Sequence, residues 1–275
     1  MSNIKVGLQL YSVRDAMEKD FEGTLKAVKE MGYDYVEFAG YFGKSADEVK
    51  ALLDKYELTA VSVHQGPTLF DEEGQSAVDY IKTLGVKYAA VPWYEASKLA
   101  GTPEWENTVA MFTRVGKLLA DNGIQMMYHN HDFEFEKFDG KYLFDWIYET
   151  MPFINPEIDV CWVHYAGEDP CKIINQYNGK VQVVHFKDFV CEKLGGGPVY
   201  ALINDSGEDG KKASKEDNGF KFTPVGQGCQ NFDAIIEMCK ACKTEYVIVE
   251  QDSTYDIPSL EACRMSREYL KTKGL

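Results

Sequence analysis

The stretch Val181-Gln-Val-Val-His-Phe-Lys-Asp188 is mostly apolar and turns ionisable at its end. A short run rich in β-branched and aromatic residues reads as a strand buried on both faces, the condition of strands in a parallel sheet. Seven further runs of this kind occur: Val6–Tyr11, Tyr35–Phe38, Leu58–His64, Lys87–Pro92, Gln125–His129, Glu157–Val160 and Tyr246–Glu250. Amphipathic helical patterns separate them. Phe21, Leu25, Val28 and Met31 recur at helical spacing before Gly32, a stop signal. Ser45-x-x-Glu48 forms a capping box ahead of Val49, Leu52, Leu53 and Tyr56. Thr102-Pro103-Glu104 opens a helix striped by Trp105, Val109, Phe112, Gly116 and Leu119 that ends at Asn122-Gly123. Phe232, Ile235, Ile236 and Cys239 repeat the pattern. Eight strands, each followed by helical sequence, predict an α/β fold: a single (β/α)8 barrel domain over residues 1–275 rather than an open sheet. The irregular segment at about 191–222, with Gly195-Gly196-Gly197 and the polar run Asn204–Asn218, reads as a loop insertion. It is either a solvated loop or a lid, since βα loops of barrels face the active site.

Bulk properties narrow the function. With 275 residues, 45% hydrophobic and 27% charged, the chain has the composition of a globular protein. Its formal charge of −15, from 44 acidic and 29 basic residues, disfavours nucleic acid and anionic membranes as partners. No Gly-x-Gly-x-x-Gly follows the first strand and no Walker-type loop occurs, so no nucleotide cofactor is expected. No run approaches a membrane span. The N-terminal MSNIKVGLQLYS reads as a strand rather than a secretory signal. Seven cysteines, an odd number, then suggest reduced thiols in a cytoplasmic protein. Cys239-x-x-Cys242 has no second pair and reads as helix packing.

The ionisable residues fall at strand ends. His64 ends the third strand, Tyr-His-Asn-His-Asp-Phe-Glu (128–134) the fifth, Asp159 the sixth, His185 with Lys187 and Asp188 the seventh, and Glu250 the eighth. Catalytic groups in barrels come from these ends, and polar groups there are costly to bury unless paired or metal-bound. A mixed oxygen and nitrogen set suits one divalent ion: Mn²⁺, Zn²⁺, Co²⁺ or Mg²⁺.

The segments GLQLYSVRD (7–15), YHNHDFEF (128–135), IDVCWVHYAGEDP (158–170), VVHFKD (183–188), PVGQG (224–228) and VIVEQD (247–252) resemble, in order and spacing, the sugar phosphate isomerase/epimerase family of xylose-isomerase-like TIM barrels. The resemblance implies a metal held by Glu134, Asp159, His185 and Glu250. The epimerase branch has a glutamate directly at the fifth strand end, where this chain has His129. Either Glu134 reaches back to the ion, or His129 or His131 replaces it.

The mechanism that follows is enediolate chemistry on a ketose or related keto-sugar. Glu134 and Glu250 face each other across the chelated substrate, and His129 or His131 serves as the proton-transfer group. Isomerase or epimerase activity is the leading reading. A lyase or dehydratase acting on a 3-keto-glycoside or cyclic polyol shares the same intermediate. Glu37, His64, Trp93, Trp162 and Lys187 are the candidate substrate contacts; for the two tryptophans, sugar stacking competes with closing the pocket floor. The expected partner is a small-molecule sugar, with a homo-oligomer left open. The rivals are a metal-dependent endonuclease of the same superfamily and a catalytically silent sugar-binding barrel or partner subunit.

Overall fold

The computed structural model describes residues 4–195 and 219–275. Each of the eight apolar runs contributes a strand: β1 (Lys5–Gln9), β2 (Tyr35–Phe38), β3 (Thr59–His64), β4 (Tyr88–Val91), β5 (Gln125–His129), β6 (Asn155–Asp159), β7 (Val183–Phe186) and β8 (Tyr246–Val249). They close into one barrel in the order β1-β8-β7-β6-β5-β4-β3-β2, with every pair parallel. The strand bounds differ from the sequence reading in two instructive places. Leu10 and Tyr11, expected to continue β1, instead open a 3₁₀ turn, Leu10–Val13, started by the Gln9 side chain, which accepts from the Tyr11 amide. β6 begins at Asn155, two residues before the run read from the sequence, with Pro156 near the strand start, where proline is tolerated.

Strand pleating sorts side chains into two layers. Val61, Tyr88, Ala90, Met127, Val183, Tyr246 and Ile248 form one buried cluster, with Tyr35 against it. Their sequence neighbours Val36, Ala60, Ala89, Met126, Tyr128, Val184 and Val247 belong to the main core beneath the helices. The first set therefore points into the barrel and the second outward, as period-2 alternation requires. Gly7 is needed where β1 crosses this interior, since a Cβ there would lie 2.6 Å from Ile248 Cδ1.

The helices carry the expected punctuation. Asp20 caps the helix Phe21–Met31 by accepting from the Gly23 amide, and Gly32 ends it at φ +96°. The Ser45/Glu48 capping box opens Ala46–Lys55. Cys239 lies in the helix Phe232–Ala241 and Cys242 just past its end, both buried as free thiols against the core. No helix among the described residues is long and apolar enough to cross a membrane.

Of the segment 191–222, residues 196–218 lie outside the described residues, and so does the lid expectation that falls on them. At its base Asp188–Val190 pairs antiparallel with Lys221–Thr223, over an aromatic cluster of Trp162, Tyr165, Phe189, Phe220 and Phe222.

Candidate metal centre and cavity

Moving up the inward face toward the C-terminal strand ends, the apolar layer gives way to polar groups. Gln9, Glu37, Ser62, His64, His129, Glu157, Asp159, His185, Lys187 and Glu250 are all buried. Such a layer is expensive unless its members satisfy one another or a ligand. Among the described residues three groups of donor atoms result, with His185 in each: His129, Asp159, His185 and Glu250 above, Glu37, His64, Glu157 and His185 below, and His64, His129 and His185 linking the two.

In the upper group His185 Nδ1 lies 2.8 Å from Glu250 Oε2, and His129 Nε2 lies 3.3 Å from Asp159 Oδ2 and 3.6 Å from Glu250 Oε2. Asp159 divides its work: Oδ1 accepts from the amides of Cys161 (2.8 Å) and Trp162 (3.1 Å), capping the helix that follows, which leaves Oδ2 for the site. Asn130 Oδ1 accepts from the Asp159 amide at 3.0 Å and ties the ends of β5 and β6 together. Lys187 Nζ sits 2.9 Å from Glu250 Oε2, 3.0 Å from Asp252 Oδ2 and 3.1 Å from Asp159 Oδ2.

The charges follow from these contacts. Burial would lower Lys187, but three carboxylates outweigh it and keep the ammonium protonated. Burial would raise Asp159, yet Lys187 and His129 bring it down to about 2. Glu250 is likewise held well below the carboxylate range by Lys187 and the two imidazoles, against its burial. Burial would lower His185, but Glu37, Glu157 and Glu250 outweigh it and keep the ring protonated.

These residues fit a divalent ion. His129 Nε2 and Asp159 Oδ2 are buried and make no well-directed hydrogen bond despite their charged neighbours. Two carboxylate oxygens and two imidazoles match the donor preferences of first-row divalent metals.

The lower group is buried, and of its members only His64 reaches the cavity. Glu37 Oε1 accepts from Gln9 Nε2 (2.7 Å) and lies 2.8 Å from His185 Nε2, while Oε2 accepts from the Ser62 hydroxyl. A register shift of β3 against β2 after Val36 places Ser62 opposite Glu37. Glu157 Oε2 lies 2.7 Å from His64 Nε2. Burial, then the neighbouring Glu37, push Glu157 well above the usual range. The imidazoles of His64 and His185 overcome burial and hold Glu37 well below it.

A cavity of about 300 Å³ opens over the upper group, lined by Tyr11, Ala39, His64, Pro92, Trp93, His129, His131, Lys187, Glu250 and Asp252. Asp252, raised to about 6 by burial despite Lys187, and His131, held neutral by burial, are its titratable walls beyond the donors. Trp93 is 42% exposed at its rim.

Several sequence-based expectations change here. Glu134 belongs to none of these donor groups. Its Oε1 accepts from the Tyr128 hydroxyl and its Oε2 from the His131 amide, both at 2.7 Å. Tyr128 points outward from β5 by strand parity, so Glu134 is drawn behind the strand and does not face Glu250; His129, one residue on, points in and stands at the fifth position. Glu37 lies beneath the donors, without exposure, and does not line the cavity. Trp162 is likewise fully buried, its ring 5.5 Å from that of His131 and stacked on Phe220, so it forms floor rather than a sugar platform. Glu157, Asp252 and Gln9 escaped the sequence reading. Alternation was the signal for two of them: each stands two residues from a strand-end candidate (Asp159 or Glu250) and shares its face.

The chain matches the family described as Xylose isomerase-like TIM barrel over residues 25–273. It is 22% identical over 290 residues to the inosose dehydratase of Clostridium beijerinckii, a match covering 93% of this chain and 90% of that one. Among solved structures it is similar to a sugar phosphate isomerase/epimerase from Parabacteroides distasonis (TM-score 0.74, 19% identity, 98% of this chain and 94% of the other). It is also similar to the IolI protein with a binding zinc atom (TM-score 0.70, 17% identity, 98% and 97%).

Proposed function

The chain belongs to the xylose isomerase-like TIM barrel family, and on that premise we propose that it is a divalent-metal-dependent lyase. Its reaction is the elimination of a β-substituent, water in the simplest case, from a cyclic polyol ketone or a 3-keto-glycoside. One observation carries the reading: four buried donors from four consecutive strand ends meet beneath a cavity that also holds a lysine ammonium. Sequence alone ranked isomerisation and epimerisation ahead of elimination. The similarity to an inosose dehydratase over most of both chains supports the opposite order.

His129, Asp159, His185 and Glu250 hold the ion. When bound, it supplies Lewis-acid polarisation of a substrate carbonyl, which lowers the cost of the enediolate. The neutral His131 imidazole accepts the α-proton, and the C–H electron pair becomes the enolate. Lys187, fixed as a cation, faces the negative charge that develops on oxygen. As the enolate collapses, the β C–O bond breaks, and the protonated fraction of Asp252, which burial raises to about 6, delivers a proton so that the group leaves as water or an alcohol. Trp93 offers an aromatic face to the ring. A cavity of about 300 Å³ suits one sugar or cyclitol ring.

The test is a panel of ketoses, inososes and 3-keto-glycosides incubated with metal-loaded protein in D₂O. Elimination yields an unsaturated ketone with near-ultraviolet absorbance. Deuterium at the α-carbon without that product assigns the protein to the isomerase/epimerase class instead. Neither outcome, with full metal loading, favours the silent barrel.

A further inference from the structure

We infer that the substrate carries two rings, and that a second cavity beside the first receives the neutral, hydroxylated ring that is released. The inference rests on the proposed elimination and selects its 3-keto-glycoside form over the single-ring polyol ketone.

The connection between the cavities carries the argument. A cavity of about 610 Å³ adjoins the one over the metal centre and shares Tyr11, Ala39 and Asp252 with it. The first cavity, about 300 Å³, suits one ring. A substituent on the side of the three shared residues therefore continues into the second. The shared wall is held in place by hydrogen bonds. Arg14 Nη1 donates to the carbonyls of Tyr11 and Asp252, both at 2.9 Å, and the guanidinium lies 4.0 Å from the centroid of the Tyr11 ring. The Gln251 amide donates to the Ser12 hydroxyl at 3.0 Å and closes the same seam between the segments that follow β1 and β8.

The lining states the chemistry of the occupant. Among the described residues the charged members are Arg14, Asp15, Glu18 and Asp252. Three carboxyls against one guanidinium, itself engaged with two carbonyls, oppose an anion such as a phosphate ester. They suit a neutral group whose hydroxyls donate to carboxylates and whose apolar face stacks on an aromatic ring. Phe42 supplies that ring on the cavity wall, 43% exposed and edge-on to Phe21 with centroids 6.0 Å apart. Its backbone stands at φ +53° between Gly40 and Gly43, at +86° and +73°. A bulky residue is strained in this left-handed region where glycine is at ease, and such strain collects at ligand sites.

The chemistry balances without a further reactant. With the carbonyl at C3, the α-proton leaves C2 and its electron pair becomes the C1=C2 double bond. The glycosidic C1–O pair departs with the oxygen, which takes up a proton. A keto-disaccharide gives an unsaturated ketone and a free sugar.

The experiment gives metal-loaded protein an inosose and three 3-keto-hexosides whose leaving groups are methanol, a neutral hexose and a hexose phosphate. The unsaturated ketone is followed in the near ultraviolet. The keto-disaccharide should exceed the methyl glycoside in kcat/KM by at least about tenfold, because binding the second ring is expressed in the transition state. Phe42→Gly, which relieves the backbone while removing the ring, should erase most of that ratio, and Phe42→Tyr should keep it. If Phe42→Gly does not fold, the exposed Glu18 carries the test: Glu18→Arg should raise the rate on the phosphorylated substrate relative to the neutral one by about fivefold. An inosose preferred to the disaccharide, equal kcat/KM for methyl glycoside and disaccharide, or a ratio unmoved by the variants overturns the inference and leaves the lyase reading intact. A wild type that prefers the phosphorylated substrate overturns the neutral ring. Elimination from none of the four, at full metal loading, overturns the proposed function and the inference together.

Discussion

Replacing Lys187 with methionine removes a charge and keeps most of the side chain's volume. The ammonium contacts three buried carboxylates at 2.9, 3.0 and 3.1 Å. At an effective dielectric near 20, each such contact is worth on the order of 5 kcal/mol before desolvation. Desolvation of the ammonium cancels much of that sum. Removing one partner of a buried ion network still costs about 3–5 kcal/mol, because the charges left behind are unpaired. For a chain of this size that corresponds to a fall in Tm of roughly 6–20 °C in metal-free protein. Saturating Mn²⁺ or Zn²⁺ changes the comparison. The ion neutralises Asp159 and Glu250 in place of the ammonium, leaving only Asp252 uncompensated. The ion should therefore raise the Tm of Lys187→Met more than that of wild type, and bind it more tightly, since a competing cation is gone. Turnover should fall in the same variant. The assay is thermal denaturation with and without metal, alongside binding calorimetry. Equal metal-induced shifts in both proteins would falsify the claim that Lys187 and the ion use the same two carboxylates.

Four further outcomes are expected. Chelation of the loaded protein should abolish turnover, and restoring the ion to about 100 times its Kd should return ~2.7 kcal/mol of stability, read as a reversible Tm shift of roughly 5–10 °C. His129→Gln should weaken metal binding by at least about tenfold, while Glu134→Gln should leave it nearly unchanged; titration calorimetry checks both, and the reverse pattern would return Glu134 to the ion. Asp252→Asn should retain the metal and lower kcat, measured by steady-state kinetics on the substrate found in the panel. Burial raises Glu134 to about 8 against hydrogen bonds that lower it, so the folded state holds a proton the unfolded chain releases near the normal carboxylate pKa; this contribution to stability is complete below about pH 4.5 and is lost as pH rises through about 8. Glu134→Gln, whose amide can donate to Tyr128 and accept from the His131 amide, should flatten that slope in melts from pH 5 to 9.

The barrel was legible because its strands are buried on both faces. Val183–Phe186 and Tyr246–Val249 read as continuous apolar runs, a pattern that needs no partner strand to interpret. The ends of elements were less legible. At Leu10 and Tyr11 the apolar pattern of β1 runs on, while the chain itself turns on a side-chain hydrogen bond from the Tyr11 amide to Gln9. At Asp159 the strand stops because the carboxylate caps the next helix, a choice made by two amide hydrogen bonds rather than by hydrophobicity.

The site was legible in its inward parity and obscure in its depth. His129, Asp159, His185 and Glu250 each stand at a strand end and face inward, which sequence position alone conveys. Glu134 misled because loop residues obey no parity; only the Tyr128 hydroxyl and the His131 amide, both at 2.7 Å, reveal where its carboxylate goes. Glu37 misled in the opposite sense. It lies on the correct face of the correct strand but one layer too deep, since β2 ends at Phe38 and its inward carboxylate meets His185 from below. Glu157 lies at the same depth on β6, two residues before Asp159. A barrel interior is filled in layers of side chains from alternate strands. A polar residue in its penultimate layer therefore reaches the residues above it before it reaches substrate. On the proposed reading, strand ends in this chain mark the groups that hold the ion, and Glu157, two residues earlier on its strand, marks the layer packed beneath them.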